Sequence, residues 1–271
     1  MIGGRALTLS GVMRRARLLV AYDGSAFHGY AVNRDVDTVA GVLTETISMI
    51  TRRPVSLVGA GRTDAGVHAW GQVVSLDLDE GIDLDDLAHR INRVRGPRIV
   101  VRAARWATDP GFSARFSAVW RHYRYDVLNT PEPNPFLAAT AWHVPQPLDL
   151  VVMNLATDPL IGEHDFSSFG RRPPAVDRRE PSMNRYVFLA RWNHAGPHSP
   201  GLLRFEIRAN AFCHQMVRSI VGTLVDVGKA KTSAGEMSAI LRAKDRNAAG
   251  AIAPPHGLCL WEVGYPESER W

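Results

Sequence analysis

A carboxylate and a guanidinium two residues apart on a glycine-rich stretch are the part of this 271-residue chain best suited to chemistry: Gly59-Ala60-Gly61-Arg62-Thr63-Asp64-Ala65-Gly66-Val67-His68-Ala69. Each glycine costs a helix about 1 kcal/mol against alanine, and a central strand is weakened as well. The stretch reads either as an ordinary tight turn or as a shaped loop that brings Arg62 and Asp64 close to something. On an extended loop, residues i and i+2 point the same way. Arg62 is then expected beside Asp64, keeping it ionised and favouring nucleophilic over general-acid work. A carboxylate can serve as nucleophile, base or electrostatic stabiliser, and a local salt bridge worth little is the plain alternative.

Other candidates lie far along the chain. His214 and Arg218 are spaced to share the polar face of a helix, opposite Phe212, Met216, Ile220 and Leu224. Arg218 is either a surface cation or a group that reaches Asp64. In Arg121-His122-Tyr123-Arg124-Tyr125, Tyr123 is either core or a ring for stacking on RNA bases, since basic residues alternate with aromatic ones. Leu258, in Gly257-Leu258-Cys259-Leu260, reads as core. Gly59-x-Gly61 fails as a dinucleotide fingerprint because Asp64 stands at the third glycine position, where it would face a pyrophosphate. There is no Walker A sequence, HExxH, paired cysteine motif or serine elbow.

The elements that must position these residues follow from periodicity. Arg17–Tyr22 is a strand, and Thr38 caps a helix with Val39, Val42, Leu43, Ile47 and Ile50 at helical spacing. Val55–Val58 is a short strand into the loop. Val74, Leu76 and Leu78 alternate with Ser75 and Asp77 in a half-buried strand out of it. Asp83 opens a second helix and Ile99–Trp106 is a strand, giving a ferredoxin-like order with helices on one face of the sheet and the other face left for a second sheet, a partner or RNA. The second half repeats the order. It has strands around Tyr123–Val127, Tyr186–Trp192 (with Tyr186, Phe188, Ala190 and Trp192 on one face) and Leu203–Ile207. An interrupted helix covers Leu148–Leu160, Asn210 caps a helix to about Val227, a short helix covers Ala234–Arg242, and Leu258–Val263 closes as a strand. The chain therefore divides into an extension at 1–16, an α+β half at 17–106 with the glycine loop, a second α+β half at 107–266, and a tail at 267–271.

With 45% hydrophobic residues the chain can bury a sizeable core. The formal net charge of +5, mostly arginine, favours a polyanionic partner such as nucleic acid. Cys213 and Cys259 are far apart and read as free thiols in a reducing compartment, with a disulfide between them as the alternative. No apolar run approaches the ~20 residues of a membrane span, and the N-terminus lacks a signal-peptide pattern, so a cytoplasmic location is expected.

The residues match a known pattern. Gly61-Arg62-Thr63-Asp64-Ala65-Gly66-Val67-His68-Ala69 with Gly71-Gln72-Val73 resembles the signature of the bacterial tRNA pseudouridine synthase A family. So do Tyr22-Asp23-Gly24-Ser25 with His28-Gly29, Phe112-Ser113-Ala114-Arg115-Phe116-Ser117-Ala118 with Tyr123-Arg124-Tyr125, the run Asn210–Gly222, and Gly257-Leu258, all in the family's order. The resemblance implies conversion of uridines at tRNA positions 38, 39 and 40 in the anticodon stem-loop to pseudouridine, with no cofactor or metal, by a homodimer that flips the target base. It implies Asp64 as the nucleophile and Arg62 as the loop arginine that takes the flipped base's place or holds the phosphate path. It implies Tyr123 as the aromatic packed on the target base, Arg218 as the basic partner of the aspartate, and Leu258 as an apolar wall of the pocket. The implied fold is α+β, two ferredoxin-like, RRM-like halves whose antiparallel sheets form one continuous central sheet, helices on one side and the RNA cleft on the other.

One departure stands out. The family's Gly-Trp-Gln-x-Gln is Gly29-Tyr30-Ala31-Val32-Asn33 here, which removes two glutamines from a loop that would contact RNA. The loop at Arg171–Pro181 looks inserted and bears on the same contacts. Two further readings compete. A non-catalytic RNA-binding protein has no use for a carboxylate facing a phosphate-rich ligand, and a carboxylate glycosidase needs a second acid ~5–10 Å away, for which no residue stands out.

Overall fold

The structure is a computed structural model that describes residues 11–172, 181–196 and 199–271. The described residues form ten strands and five α-helices, a mixed α+β chain. Contacts divide it into two compact units. The first runs to Val119 and takes back Glu262–Trp271; the second is Trp120–Trp261.

The first unit contains β1 (Met13–Tyr22), α1 (Val39–Thr51), β2 (Val58–Gly59), β3 (His68–Asp79), α2 (Leu84–Arg95) and β4 (Ile99–Trp106). Its strands pair antiparallel in the order β4, β1, β3, β2, with Arg17 opposite Arg105 on one side and Ser75 on the other. Thr38 Oγ1 caps α1 by accepting from the Gly41 N–H at 3.2 Å. Asp83 Oδ1 caps α2 by accepting from the Asp85 and Asp86 N–H groups at 2.9 and 3.1 Å. Leu43 and Ile47 of α1 and Leu87 and Ile91 of α2 are buried, and α1 packs on α2, which packs on β4.

Three expectations change here. β1 begins at Met13, so part of the supposed extension is strand, while residues 1–10 lie outside the described residues. β2 is only Val58–Gly59, because the Val55 N–H is tied back to Ser48 Oγ of α1 at 3.2 Å. β3 is buried on both faces rather than half-buried, with Ser75 Oγ accepting from the Ala114 N–H at 3.0 Å.

Where residues 107–119 and 265–271 cross β1 and β3, that second face is covered. Phe112 and Ala114 are fully buried, and Arg15 Nη1 donates to Phe112 O at 2.6 Å. Tyr265 donates to Ala114 O at 2.7 Å, with its ring 5.0 Å from that of Phe112. Arg17, itself buried, pairs with Glu269 at 3.1 Å and lies 4.8 Å over the Trp271 ring. Residues 107–119 and the supposed tail at 267–271 therefore belong to the first unit, with Phe112, Ala114 and Glu269 buried in it. Burial lowers the Arg17 pKa, opposed by Glu269, so the pair lives by its geometry.

The second unit contains β5 (Trp120–Leu128), β6 (Trp142–His143), α3 (Leu150–Leu155), β7 (Gly162–Asp165), β8 (Asn184–His194), β9 (Leu202–Ala209), α4 (Met216–Gly228) and α5 (Glu236–Ala243). β10 (Leu258–Gly264) leads out of it into the first unit's last residues. Strands β5, β9, β8 and β7 pair antiparallel in that order, and β6 adds parallel to β5. Tyr125, Val127, Phe205, Ile207, Trp192, Ile220 and Leu224 form a buried core, and α3 packs on α4 and β8. Residues pointing the other way are charged and paired across strands. Arg204 holds Asp126 with two bonds of 2.8 Å, and Glu206 accepts from Arg124 and Arg191 at 3.0 Å each.

The alternation expected in β8 fails at its centre. A register shift between Val187 and Leu189 buries Val187 and leaves Tyr186 and Phe188 exposed, while Ala190 and Trp192 point inward. The helix expected over Leu148–Leu160 stops at Leu155, and a separate 3₁₀ turn at Asp158–Leu160 holds Pro159. Asn210 does not cap α4: its Oδ1 accepts from the Tyr186 and Ala211 N–H groups, and α4 starts at Met216 after Gln215 turns left-handed at φ 64°. His214 is thus off the helix, bridged to Arg171, and shares no helical face with Arg218. Both cysteines are free, Cys213 buried and Cys259 half-buried. Burial pushes the Cys213 thiol pKa up. Among the described residues no helix is long and apolar enough to cross a membrane.

Candidate active site

The glycine loop leaves β2 as an extension of the sheet. The Ala60 N–H donates to Val73 O at 2.8 Å. Gln72, fully buried one residue earlier on β3, then continues the ladder with its side chain. Its Nε2 donates to Gly61 O at 2.8 Å and its Oε1 accepts from the Gly61 N–H at 3.4 Å. The buried Thr63 hydroxyl lies 2.8 Å from the Tyr22 hydroxyl at the end of β1, and Thr63 O accepts from the Tyr30 N–H at 3.0 Å. The chain turns at Asp64, whose carbonyl accepts from the Val67 N–H at 3.1 Å, with Gly66 at φ 78°. His68 Nδ1 lies 3.1 Å from both the Gly24 N–H and Asp23 Oδ1. A neutral ring accepts there from Gly24, and a protonated one donates to Asp23. Burial works to raise the Asp23 pKa, but the Ser25 hydrogen bonds and His68 outweigh it and hold the carboxyl below its ordinary value.

Asp64 is half-buried on this frame and Arg62 exposed. The expected ion pair between them is not formed: among the described residues Arg62 enters no ion pair. The Tyr30 substitution is accommodated by packing. Its ring lies 6.4 Å from that of Tyr22, and its hydroxyl sits against Gly59, where a β-carbon would come within 2.1 Å of the oxygen. Only glycine fits there. Burial drives the Tyr30 pKa up, and its hydroxyl has no hydrogen-bond partner among the described residues.

The second unit holds the other three expected residues. Tyr123 is buried on β5 with its ring 5.0 Å from Phe212, edge to face. Arg218 is half-buried in the first turn of α4, and its Nε donates to Ala253 O at 2.8 Å while the Ala253 N–H donates to Arg218 O at 3.1 Å. Gly222, one turn on, lets this crossing chain touch the helix, since a β-carbon there would lie 1.8 Å from Ala251 O. Leu258 opens β10 and is buried. The Tyr125 hydroxyl donates to Pro254 O at 2.8 Å, fixing the approach to Leu258. Among the described residues no three His, Cys, Asp or Glu side chains group as a metal site.

The sequence singles out Asp64 and Arg62 by residue type, but not the residues that shape their loop: Tyr22, Thr63, His68 and above all Gln72. The signal for Gln72 was available, since an amide inside the apolar run Gly71–Val74 must find partners once buried.

Comparison with known proteins defines the class. The family model described as tRNA pseudouridine synthase matches residues 18–117 and 156–266, which hold both the braced loop and α4 with its crossing segment. The chain belongs to that family. Among its relatives, tRNA pseudouridine synthase A of Gluconobacter oxydans is 38% identical over 261 residues, covering 94% of this chain and 91% of the relative. That of Exiguobacterium sibiricum is 36% identical over 258 residues (95% and 99%), and that of Brevibacillus brevis 38% over 253 residues (93% and 100%).

Proposed function

We propose that this RNA-acting isomerase converts uridine to pseudouridine in the tRNA anticodon stem-loop, at positions 38, 39 and 40, with Asp64 as its nucleophile. The observation that carries the reading is the frame around Asp64. Hydrogen bonds from β1, β3 and the Tyr30 segment fix Gly61 and Thr63, which lead into it, and the Val67 N–H holds its carbonyl, while Asp64 and Arg62 remain the loop's charged groups. A pre-positioned carboxylate needs no reorganisation when it attacks.

In the reaction the bond from N1 to C1′ breaks, a bond from C5 to C1′ forms, the C5 proton leaves and N1 gains one. Asp64 attacks C6 or C1′, or removes a proton next to C1′. The target must leave the stack, at a cost of a few kcal/mol. In this reading Arg62 fills the vacated position or holds the phosphate path, Tyr123 packs on the flipped base, Arg218 keeps Asp64 ionised, and Leu258 walls the pocket. The reading includes two ferredoxin-like halves sharing one sheet with an RNA cleft on its open side, a homodimer, and a cytoplasmic location. The first unit's strand order and the net charge of +5 support it.

The test is tritium release from anticodon stem-loops carrying 5-labelled uridine at one position at a time. Release at the three positions by the wild type, and none by Asp64→Asn with tRNA binding retained, is the expected result. Release by Asp64→Asn at the wild-type rate removes the nucleophile assignment.

A further inference from the structure

The end of β1 is flanked by a bulge on each side. On β3, Gln72 pairs with Val20 and Ala69 with Tyr22, so Trp70 and Gly71 together face the single residue Ala21. On β4, Ala103 pairs with Leu19 and Val101 with Val20, which leaves Arg102 as an extra residue. Bulges gather next to active sites because they re-aim a side chain. Here the two re-aimed side chains meet. The Arg102 guanidinium carbon lies 3.7 Å from the centre of the Trp70 ring, and Nη1 donates to Trp70 O at 2.9 Å. Both residues are exposed, Trp70 by 44%. Trp70 directly follows Ala69, the last residue of the glycine loop, in the same unit as Asp64.

Arg102 is held but not neutralised. Among the described residues it enters no ion pair, and the bond to Trp70 O is its one side-chain hydrogen bond. A guanidinium carries five N–H donors, so most of them stay available to a ligand. Partial burial lowers the Arg102 pKa, and no carboxylate opposes that effect. An apolar stem would cover the indole as well. A cation without a counter-charge, laid flat on the ring with one nitrogen tied down, is instead a fork whose remaining edge has a fixed direction.

We infer that Arg102 binds a backbone phosphate of the RNA strand that enters the Asp64 loop, with Trp70 as the positioning residue that holds the guanidinium flat. The inference rests on the reading of the chain as an RNA-acting enzyme. Guanidinium forks match phosphate oxygens. Trp70 stands three extended residues, about 10 Å, beyond Val67, where the turn at Asp64 closes. One RNA segment can therefore touch both.

The experiment measures tRNA affinity against salt concentration, with KM and kcat for tRNA, in the wild type, Arg102→Ala, Arg102→Lys, Trp70→Leu and Trp70→Leu/Arg102→Ala. Loss of one phosphate contact lowers the magnitude of the slope of log affinity on log salt by about 0.7–0.9, and that is expected of Arg102→Ala. Its KM is expected to rise about 10-fold with kcat kept, since the lost bond is charge-assisted and made in ground and transition states alike. Arg102→Lys is expected to restore the slope, because the charge returns, while KM stays raised, because an ammonium cannot fork. This separates loss of the contact from misfolding. Trp70→Leu is expected to raise KM when Arg102 is present and to add nothing in the double variant. An unchanged slope in Arg102→Ala overturns the proposal. So does an unchanged slope accompanied by weaker self-association in sedimentation, which would mark a contact between protein copies. Additive KM effects of the two substitutions overturn the positioning role of Trp70. A wild type that releases no tritium but shows the slope change on Arg102→Ala would remove the catalytic reading and leave the phosphate contact standing.

Discussion

The Tyr22 hydroxyl touches the Thr63 hydroxyl at 2.8 Å, joining the end of β1 to the residue before Asp64. Gln72 Nε2 lies 3.5 Å from the same oxygen. Tyr22→Phe strands a buried hydroxyl, at a cost of about 1–2 kcal/mol. Its larger effect is expected on chemistry: misplacement of about 1 Å costs on the order of 100-fold in rate. Single-turnover pseudouridine formation should fall at least about 10-fold with tRNA binding kept. Unchanged turnover would show that the loop holds its shape without this bond.

Arg17 and Glu269 are both nearly inaccessible, their side chains 4% exposed each. Glu269→Ala leaves a buried cation over Phe112 and Trp271 and is expected to cost about 3–5 kcal/mol. That corresponds to a Tm lower by roughly 6–20 °C. Calorimetry of the variant checks it, and a loss under 1 kcal/mol would mean that water replaces the carboxylate.

Tyr30→Phe removes a buried hydroxyl that has no partner among the described residues. It is expected to leave stability unchanged or raise it by up to about 1 kcal/mol, since no bond is lost and a desolvation cost disappears. Urea midpoints at fixed slope measure this. A marked loss would show that the hydroxyl is bonded to water.

His122 is pushed from 6.5 down to about 4, first by burial and then by Arg124, Arg208 and Arg191, with Glu206 acting the other way. A base with a depressed folded pKa leaves the unfolded chain holding the extra proton between the two values. Stability therefore falls as pH drops from about 6.5 to about 4, by on the order of 2–3 kcal/mol. Glu206, lowered from its ordinary 4.5, adds its own loss of stability only at the bottom of that window and below it. Urea midpoints at pH 7 and pH 5 should differ in the wild type and differ less in His122→Gln. An NMR titration placing His122 above pH 6 would refute the assignment.

Much of the frame was legible because local patterns govern it. The caps Thr38 and Asp83, the apolar spacing of α1 and α2, and the alternation in β9 are each set by residues close in sequence. What escaped depends on distant partners. Nothing near Ser75 announces that Ala114 will pair with it, and nothing near Glu269 announces Arg17. The β8 bulge defeats any period-two count, because one extra residue moves Tyr186 and Phe188 to the other face. Asn210 looked like a helix cap since Asn commonly is one, but a strand neighbour, Tyr186, takes its side chain. At the site, Asp64 stood out by residue type, whereas Gln72 required knowing that β3 is buried on both sides.

The Gln72 amide bonds both the N–H and the carbonyl of Gly61, as a neighbouring strand residue would. With Tyr22 and Tyr30 holding Thr63, the loop's curvature is written in residues that lie outside it. The glycine stretch is a tenant of its scaffold. Transplanted alone onto another protein, Gly59–Ala69 would carry the carboxylate but not its aim.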